Sequence, residues 1–243
     1  MLRRLLVGAG LAALVAMPAA AQTVDDIIAK NNDAKGGLAK QQALQSVRMT
    51  GRMTVGPGIE APIVLEIKRP KSMRIDIAVQ GMTITQAYDG TTGWMLNPMS
   101  GRTDPEVMPP DTLKSMEQQA DIDGPLVGYK EKGHTVELLG KEKIEGTDCY
   151  KIKATLKNGD SLTYFIDAES NLEIKIDGRT MVRGTEQLSE TLIGDWKDVG
   201  GILMPHSIDN GQPGAPMRQK ITLEKIDLNV PLDASRFAMP VKK

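Results

Sequence analysis

The sequence predicts an α+β protein in which about ten antiparallel strands form one curved sheet and two helices lie over it. Three observations carry this. From Ser46 onward the apolar period changes from 3.6 to 2. The alternation recurs in segment after segment, each bounded by turn residues. Two main segments, beginning at Val24 and Asp111, keep helical spacing.

The chain opens with Met1-Leu2-Arg3-Arg4, an apolar run from Leu5 to Met17, and Pro18-Ala19-Ala20-Ala21-Gln22. A short basic start, an apolar stretch and small residues at Ala19 and Ala21 are the pattern of a secretory signal peptide cleaved after Ala21. The run is short for a membrane span, and no later stretch reaches the length a spanning helix needs. The expected mature protein is a soluble, exported single domain over residues 22–243. Cys149 lies far from the leader, which leaves no acceptor for N-terminal lipidation.

Val24 to Lys35 reads as a helix. Val24, Ile27, Ile28 and Asn31 share a face, Thr23 caps it, Asp25 and Asp26 suit its first turn, and Gly36-Gly37 ends it. Strands follow. Val47, Met49 and Met53 alternate with Arg48, Thr50 and Arg52. Ile63, Leu65 and Ile67 form the next apolar row, then Met73, Ile75, Ile77 and Val79, then Met82, Ile84 and Tyr88. Gly56-Pro57-Gly58, Pro70-Lys71, Gly81 and Asp89-Gly90 supply the turns between them. Trp94 to Leu96 adds a short strand.

Asn97 to Asp111 holds four prolines and reads as a loop. A second helix fits Asp111 to Ile122, with Asp111 as its cap and Leu113, Met116 and Ala120 as its apolar stripe. Gly124-Pro125 closes it. Strands resume at Val136–Leu139, Tyr150–Leu156, Leu162–Ile166, Leu172–Ile176, Leu188–Trp196, Ile202–Ile208 and Arg218–Asp227. Asn158-Gly159 predicts a tight hairpin between two of them.

Composition narrows the function. The chain has 243 residues, 40% hydrophobic and 25% charged, with 30 Lys+Arg against 31 Asp+Glu. That balance supplies neither the basic footprint of a nucleic-acid binder nor a polybasic membrane anchor. One cysteine excludes an internal disulfide framework, and two histidines leave little for a metal centre. No nucleophile elbow, zinc-protease helix, phosphate loop or dinucleotide fingerprint occurs. His134 and His206 read as structural, and Cys149 as a small buried hydrophobe. No catalytic residue, metal ligand or cofactor is expected, and the protein is not expected to be an enzyme.

A long sheet with one apolar face curls, and two helices cover only part of it. Two outcomes stay open: a concave apolar cavity, or a sheet that fills its own interior. The methionines fit either. They are flexible enough to accept variable apolar shapes and equally suit gaps in an aromatic-poor core. The residues facing inward are Met49, Met53, Leu65, Ile67, Ile75, Ile77, Met82 and Ile84. Ile27, Ile28, Leu113 and Met116 are the apolar residues of the covering helices.

An ordered set of segments spans most of the chain after the leader. It runs through Ala34-Lys35-Gly36-Gly37, Ser46-Val47-Arg48-Met49-Thr50-Gly51, Tyr88-Asp89-Gly90 with Gly93-Trp94, and Gly124-Pro125-Leu126. It continues through Tyr129-Lys130-Glu131-Lys132-Gly133-His134, Glu137-Leu138-Leu139-Gly140-Lys141 and Gly146-Thr147-Asp148-Cys149-Tyr150-Lys151-Ile152. Tyr164-Phe165-Ile166-Asp167-Ala168, Gly201-Ile202-Leu203-Met204-Pro205 and Phe237-Ala238-Met239-Pro240 complete it. Together these segments resemble, distantly, the LolA-like family of outer-membrane lipoprotein-sorting proteins, and the resemblance implies an incomplete β-barrel of about eleven strands whose helices form a lid over an apolar cavity. It implies a periplasmic carrier of lipid or acylated lipoprotein cargo, loaded by an inner-membrane ABC transporter and unloaded to an outer-membrane receptor. It also implies an arginine that tethers the lid, for which Arg48, Arg52 and Arg74 are the alternatives. The chain departs from the family's aromatic-rich cavity: with eight aromatics, its site would be lined by Met, Ile and Leu. A non-transporting envelope sensor or adaptor on the same fold is the alternative reading.

Overall fold

A computed structural model describes residues 22–241; the leader expected over residues 1–21 lies outside the described residues. Helix α1 spans Val24–Ala34 and α2 spans Leu38–Ala43. Six strands follow: β1 (Ser46–Gly56), β2 (Ile59–Lys68), β3 (Ser72–Val79), β4 (Met82–Tyr88), β5 (Gly93–Leu96) and β6 (Glu106–Val107). Helix α3 (Pro110–Gln119) leads through a series of turns to β7 (Thr135–Ile144) and β8 (Thr147–Thr155). Then come β9 (Ser161–Asp167), β10 (Glu173–Val182), β11 (Thr185–Val199), β12 (Ile202–Gly211) and β13 (Gln219–Leu228). Among the described residues no helix is long and apolar enough to cross a membrane.

All thirteen strands lie in one sheet, ordered β6-β5-β4-β3-β2-β1-β13-β12-β11-β10-β9-β8-β7. Two meanders are joined where β1 pairs with β13, Val47 opposite Leu228. The sheet is not closed. Its free edges, β6 and β7, are consecutive in sequence, so the connection that carries α3 links one edge to the other. An open sheet of this length curls around its apolar face, and the incomplete barrel with a helical cover is the result.

Local chemistry explains most boundaries. Thr23 and Asp26 form a reciprocal capping box at the start of α1. Gly36 and Gly37 both adopt positive φ after its end. At Gly36 an added Cβ would meet the Gly201 carbonyl oxygen, because α1 packs that close to the β11–β12 turn.

Several expectations need correction. Helix α3 begins at Pro110 with Pro109 in the cap position, so Asp111 lies in the first turn rather than capping it. Proline presets the helical φ at N1 and needs no N–H partner. The helix ends at Gln119, short of Ile122. The hairpin expected at Asn158-Gly159 is present, with five residues between β8 and β9, closed by the Leu156 N–H donating to the Asp160 carbonyl at 2.8 Å. The sheet has more strands than expected. Strand β6 sits inside the predicted proline-rich loop, where two residues paired with Trp94 and Met95 are too few for alternation to show.

Candidate functional site

Residues paired across antiparallel strands share a face, so the register sorts the side chains directly. Met49 pairs with Leu65, which pairs with Ile75; Val47 pairs with Ile67, which pairs with Met73. Ile63 pairs with Ile77, Ile77 with Ile84, and Val79 with Met82. Met53 pairs with Ala61 on one side and Ile221 on the other. Met49, Met53, Leu65, Ile67, Ile75, Ile77, Met82 and Ile84 therefore share one face of the sheet. Met53 is buried, Met82 is exposed at a hairpin tip, and the other six are half-buried.

Three apolar clusters build on this face. In the first, Ile27 and Ile28 of α1 meet Leu126, Ile152, Ala154, Tyr164 and Ile166. In the second, Leu44 after α2 meets Val47, Ile202, Leu223 and Ile226, with Met49 and Leu65 packed against them. In the third, Met116 and Ala120 from the α3 region meet Met73, Tyr88 and Met108, with Leu65, Ile67, Ile75 and Leu113 alongside. Ile27, Ile28, Leu113 and Met116 thus all pack on the sheet's apolar face, and Ile27 and Met116 are almost fully buried.

The clusters leave a strip between them. Ile84, Ile77 and Ile63 pair in turn across β4, β3 and β2; Met53 of β1 lies a diagonal step from Ile63, which itself pairs with Gly51; and Ile221, Ile208 and Ile193 follow Met53 across β13, β12 and β11. Ile77, Ile84, Ile193 and Ile208 belong to none of the three clusters and are only half-buried. At about 4.8 Å per strand the row runs roughly 30 Å along the curved surface. The sequence reading placed Met53, Ile77 and Ile84 of this row among the inward residues and left out Ile63, Ile193, Ile208 and Ile221. Leu192 and Ile193 are adjacent apolar residues, so alternation alone assigns neither a face. Only pairing of Ile193 with Ile208, and of Ile208 with Ile221, does so.

Polar ties hold the covering elements. The Asn31 amide donates to the Asn171 carbonyl at 2.8 Å, and Lys35 pairs with the buried Glu173 at 2.8 Å. Lys114 of α3 reaches the buried Asp160 of the β8–β9 turn at 2.7 Å, which links α3 to the far half of the sheet. Lys132 bonds both Asp121 at 2.6 Å and the Gly124 carbonyl at 2.7 Å.

The arginine that ties these segments is none of the three expected. Arg48 and Arg74 both lie opposite Glu66, and Arg52 opposite Pro62, on the other face of the sheet. Arg69, at the end of β2, donates to both Asp123 carboxylate oxygens at 2.6 Å and to the Leu44 and Gln41 carbonyls. The hydrogen bonds it donates to Asp123 hold its guanidinium above the usual arginine range. One side chain therefore joins α2, the sheet and the segment after α3. It was missed because Arg69 sits in the turn ending β2, outside the alternating pattern.

The opposite face has its own cover. The segment after β13 lays Phe237 against it, and the Trp94 indole N–H donates to the Phe237 carbonyl at 2.7 Å. Arg236 pairs with the buried Glu66 at 2.8 Å, and Arg48 stands 3.6 Å from the same carboxylate. Neither histidine stands in a catalytic array. His206 is buried with its Nδ1 3.1 Å from the Met204 carbonyl. Cys149 is buried inside β8, and burial pushes its thiol up, away from the reactive thiolate.

A single open sheet, an apolar inner face and a helical cover together make an incomplete barrel. Its fold is similar to that of solved LolA superfamily structures. A LolA superfamily protein from Nitrosomonas europaea superimposes with a TM-score of 0.59 at 13% identity, over 87% of this chain and 96% of that one. A domain from Vibrio parahaemolyticus classed as an outer membrane lipoprotein-sorting protein gives 0.57 at 11% identity, over 86% and 95%. A DUF1329 family protein from Desulfovibrio piger gives 0.55 at 12% identity, also over 86% and 95%. No protein-family model matches the sequence, and no curated protein matches it.

Proposed function

We propose that this protein is a periplasmic carrier that shelters the acyl chains of a lipid or lipoprotein on its concave face and moves them between envelope membranes. The observation that carries the reading is the apolar row from Ile84 to Ile193, which crosses seven strands without a charged residue, buried at Ile63 and Met53 and half-buried toward both ends. Each CH₂ exposed to water costs about 0.8 kcal/mol, so an acyl chain in solution costs on the order of 10 kcal/mol. A long apolar row offsets that cost, and its shape suits a chain rather than a compact ligand. Met49, Met53, Leu65, Ile67, Ile75, Ile77, Met82 and Ile84 form one wall of the site, and Ile193, Ile208 and Ile221 extend it.

Helix α3 is the moving part of the cover. It bridges the two free edges and has no side-chain cap, while α1 is held by its capping box, Asn31 and Lys35. Cargo that displaces Met116 and Leu113 from the face opens the site, and the empty state is the packed one. The leader at residues 1–21 directs export, an ABC transporter of the inner membrane loads the carrier, and an outer-membrane receptor unloads it. The reading assigns no catalytic residue.

The test is a double substitution, Ile77→Asp with Ile84→Asp, in the chain from Gln22 onward. Native mass spectrometry of the protein purified from a bacterial periplasm should find bound lipid on the parent and none on the variant, with circular dichroism confirming that the variant folds. A folded variant that keeps its lipid overturns the assignment of the site. A lipid-free parent, with the protein instead in stable complex with an envelope protein, favours the adaptor reading.

A further inference from the structure

The apolar row accounts for the tails of a cargo and says nothing of its head. A polar cleft of about 490 Å³ lies where α3 and the turns after it meet the β8–β9 turn and the β2–β3 turn. It is separate from the apolar row and shares none of its residues. Four lysines line it: Lys71, Lys114, Lys132 and Lys157. Two of them are already used, Lys114 by Asp160 and Lys132 by Asp121. Among the described residues Lys71 and Lys157 have no carboxylate partner, and Glu117 is the one lining carboxylate left without a lysine.

The neutral groups lining the cleft add donors not used elsewhere. The Lys157 backbone N–H donates to His134 Nδ1 at 3.1 Å. The neutral imidazole must then carry its proton on Nε2, the nitrogen left free. Burial, with Lys132 next, holds the His134 pKa below the usual histidine range, which keeps the ring in that neutral form. The Asn158 carbonyl oxygen accepts from the Asp160 N–H at 3.0 Å, which leaves its amide NH₂ as the unused end. Two unpaired ammonium groups, an imidazole N–H and a carboxamide NH₂ around one cleft are a donor-rich set of the kind that holds a multivalent oxyanion.

We propose that this cleft is a binding site for a phosphate group, formed by Lys71, Lys157, His134 and Asn158 and walled on one side by α3. The phosphate comes from a phospholipid headgroup or from the free anion; the first source rests on the carrier reading above. Position favours the headgroup. Lys114, Glu117 and Gln118 face the cleft from the same helix whose Leu113 and Met116 pack on the apolar face. A phosphate in the cleft would therefore sit beside the element that uncovers the tails.

The test compares three probes on the chain from Gln22 onward and on the Lys71→Gln/Lys157→Gln variant by calorimetric titration: dihexanoyl phosphatidylglycerol, dihexanoylglycerol and inorganic phosphate. Neither lysine packs in an apolar cluster, so the variant should fold and keep its affinity for the uncharged lipid. The parent should bind the phospholipid about tenfold more tightly than dihexanoylglycerol, and the variant should lose that preference. Binding of inorganic phosphate that the double substitution removes supports the site with the free anion as source. Equal binding of the two lipids by the parent, with no phosphate binding, overturns the site while leaving the carrier reading intact. Failure to bind either lipid overturns the carrier reading alone, and the phosphate titration then decides the cleft. A preference or phosphate affinity unchanged in the variant also overturns it.

Discussion

Arg69 shows how one side chain sets the geometry of a cover. Its guanidinium makes a bidentate pair with Asp123 and reaches two backbone carbonyls, and both partners are largely shielded from water. Arg69→Ala would strand the carboxylate and those carbonyls together. The expected loss is about 2–3 kcal/mol, read as a lowered urea midpoint with an unchanged slope. A loss within 0.5 kcal/mol, roughly the size of an exposed ion pair, would show that water replaces the arginine. Glu190 makes a pH-dependent contribution on the other half of the sheet. Lys175 first, then Arg218, bond its carboxylate at 3.0 and 2.7 Å and hold its pKa below 4.5. A depressed carboxylate stabilises the fold above its unfolded pKa, and that stability is lost as the pH falls through the folded value. Glu190→Gln should therefore be less stable than the parent at neutral pH, and the gap should close in acid below 4.5. Chemical denaturation at a series of pH values measures it; a gap that does not narrow would refute the pairing.

At the scale of elements, the two longer helices differ in how they are held. Helix α1 has a capping box, buried Ile27 and Ile28, and two polar ties to the β9–β10 region. Helix α3 has Met116 as its one fully buried residue and Lys114 as its cross-sheet tie. Amide hydrogen exchange should be faster in α3 than in α1, and Lys114→Ala should speed α3 further without affecting α1. Equal protection in both helices would remove α3 as the moving part. The segment after β13 acts as a strap across the outer face. Phe237 is 1% exposed beside Trp94. Phe237→Ala should cost about 3–5 kcal/mol and shift the Trp94 emission to the red, both seen in one fluorescence-monitored unfolding curve. A smaller cost would mean that the strap collapses into the gap.

At the scale of the whole molecule, a chain of hairpins becomes one curved open sheet through a single non-local pairing. Strands β1 to β6 and β7 to β13 are each built by neighbours in sequence. Pairing of β1 with β13 joins them and turns the outer edges toward the connection that carries α3. The apolar row exists only because of that join, since Met53 meets Ile221 across it. Carrying an acyl chain, as proposed, is thus a property of the joined, open sheet and of neither meander alone.

The sequence by itself determined the strands other than β6, the shared face of Met49, Leu65, Ile75, Ile77 and Ile84, the Thr23 cap of α1, and Leu113 and Met116 as the apolar stripe of α3. These follow from alternation, helical spacing and turn residues, which act between neighbours a few positions apart. It also carried the resemblance to the LolA-like family, whose fold the structure has. The tertiary structure alone decided that Arg69 ties the lid segments, that Ile193, Ile208 and Ile221 extend the apolar row, and that Phe237 covers the outer face. Arg69 and Asp123 are 54 positions apart, and Trp94 and Phe237 are 143. Such pairs are chosen by which strand edges meet and how the sheet curls. That choice is set by packing over the whole chain, where no local period leaves a trace.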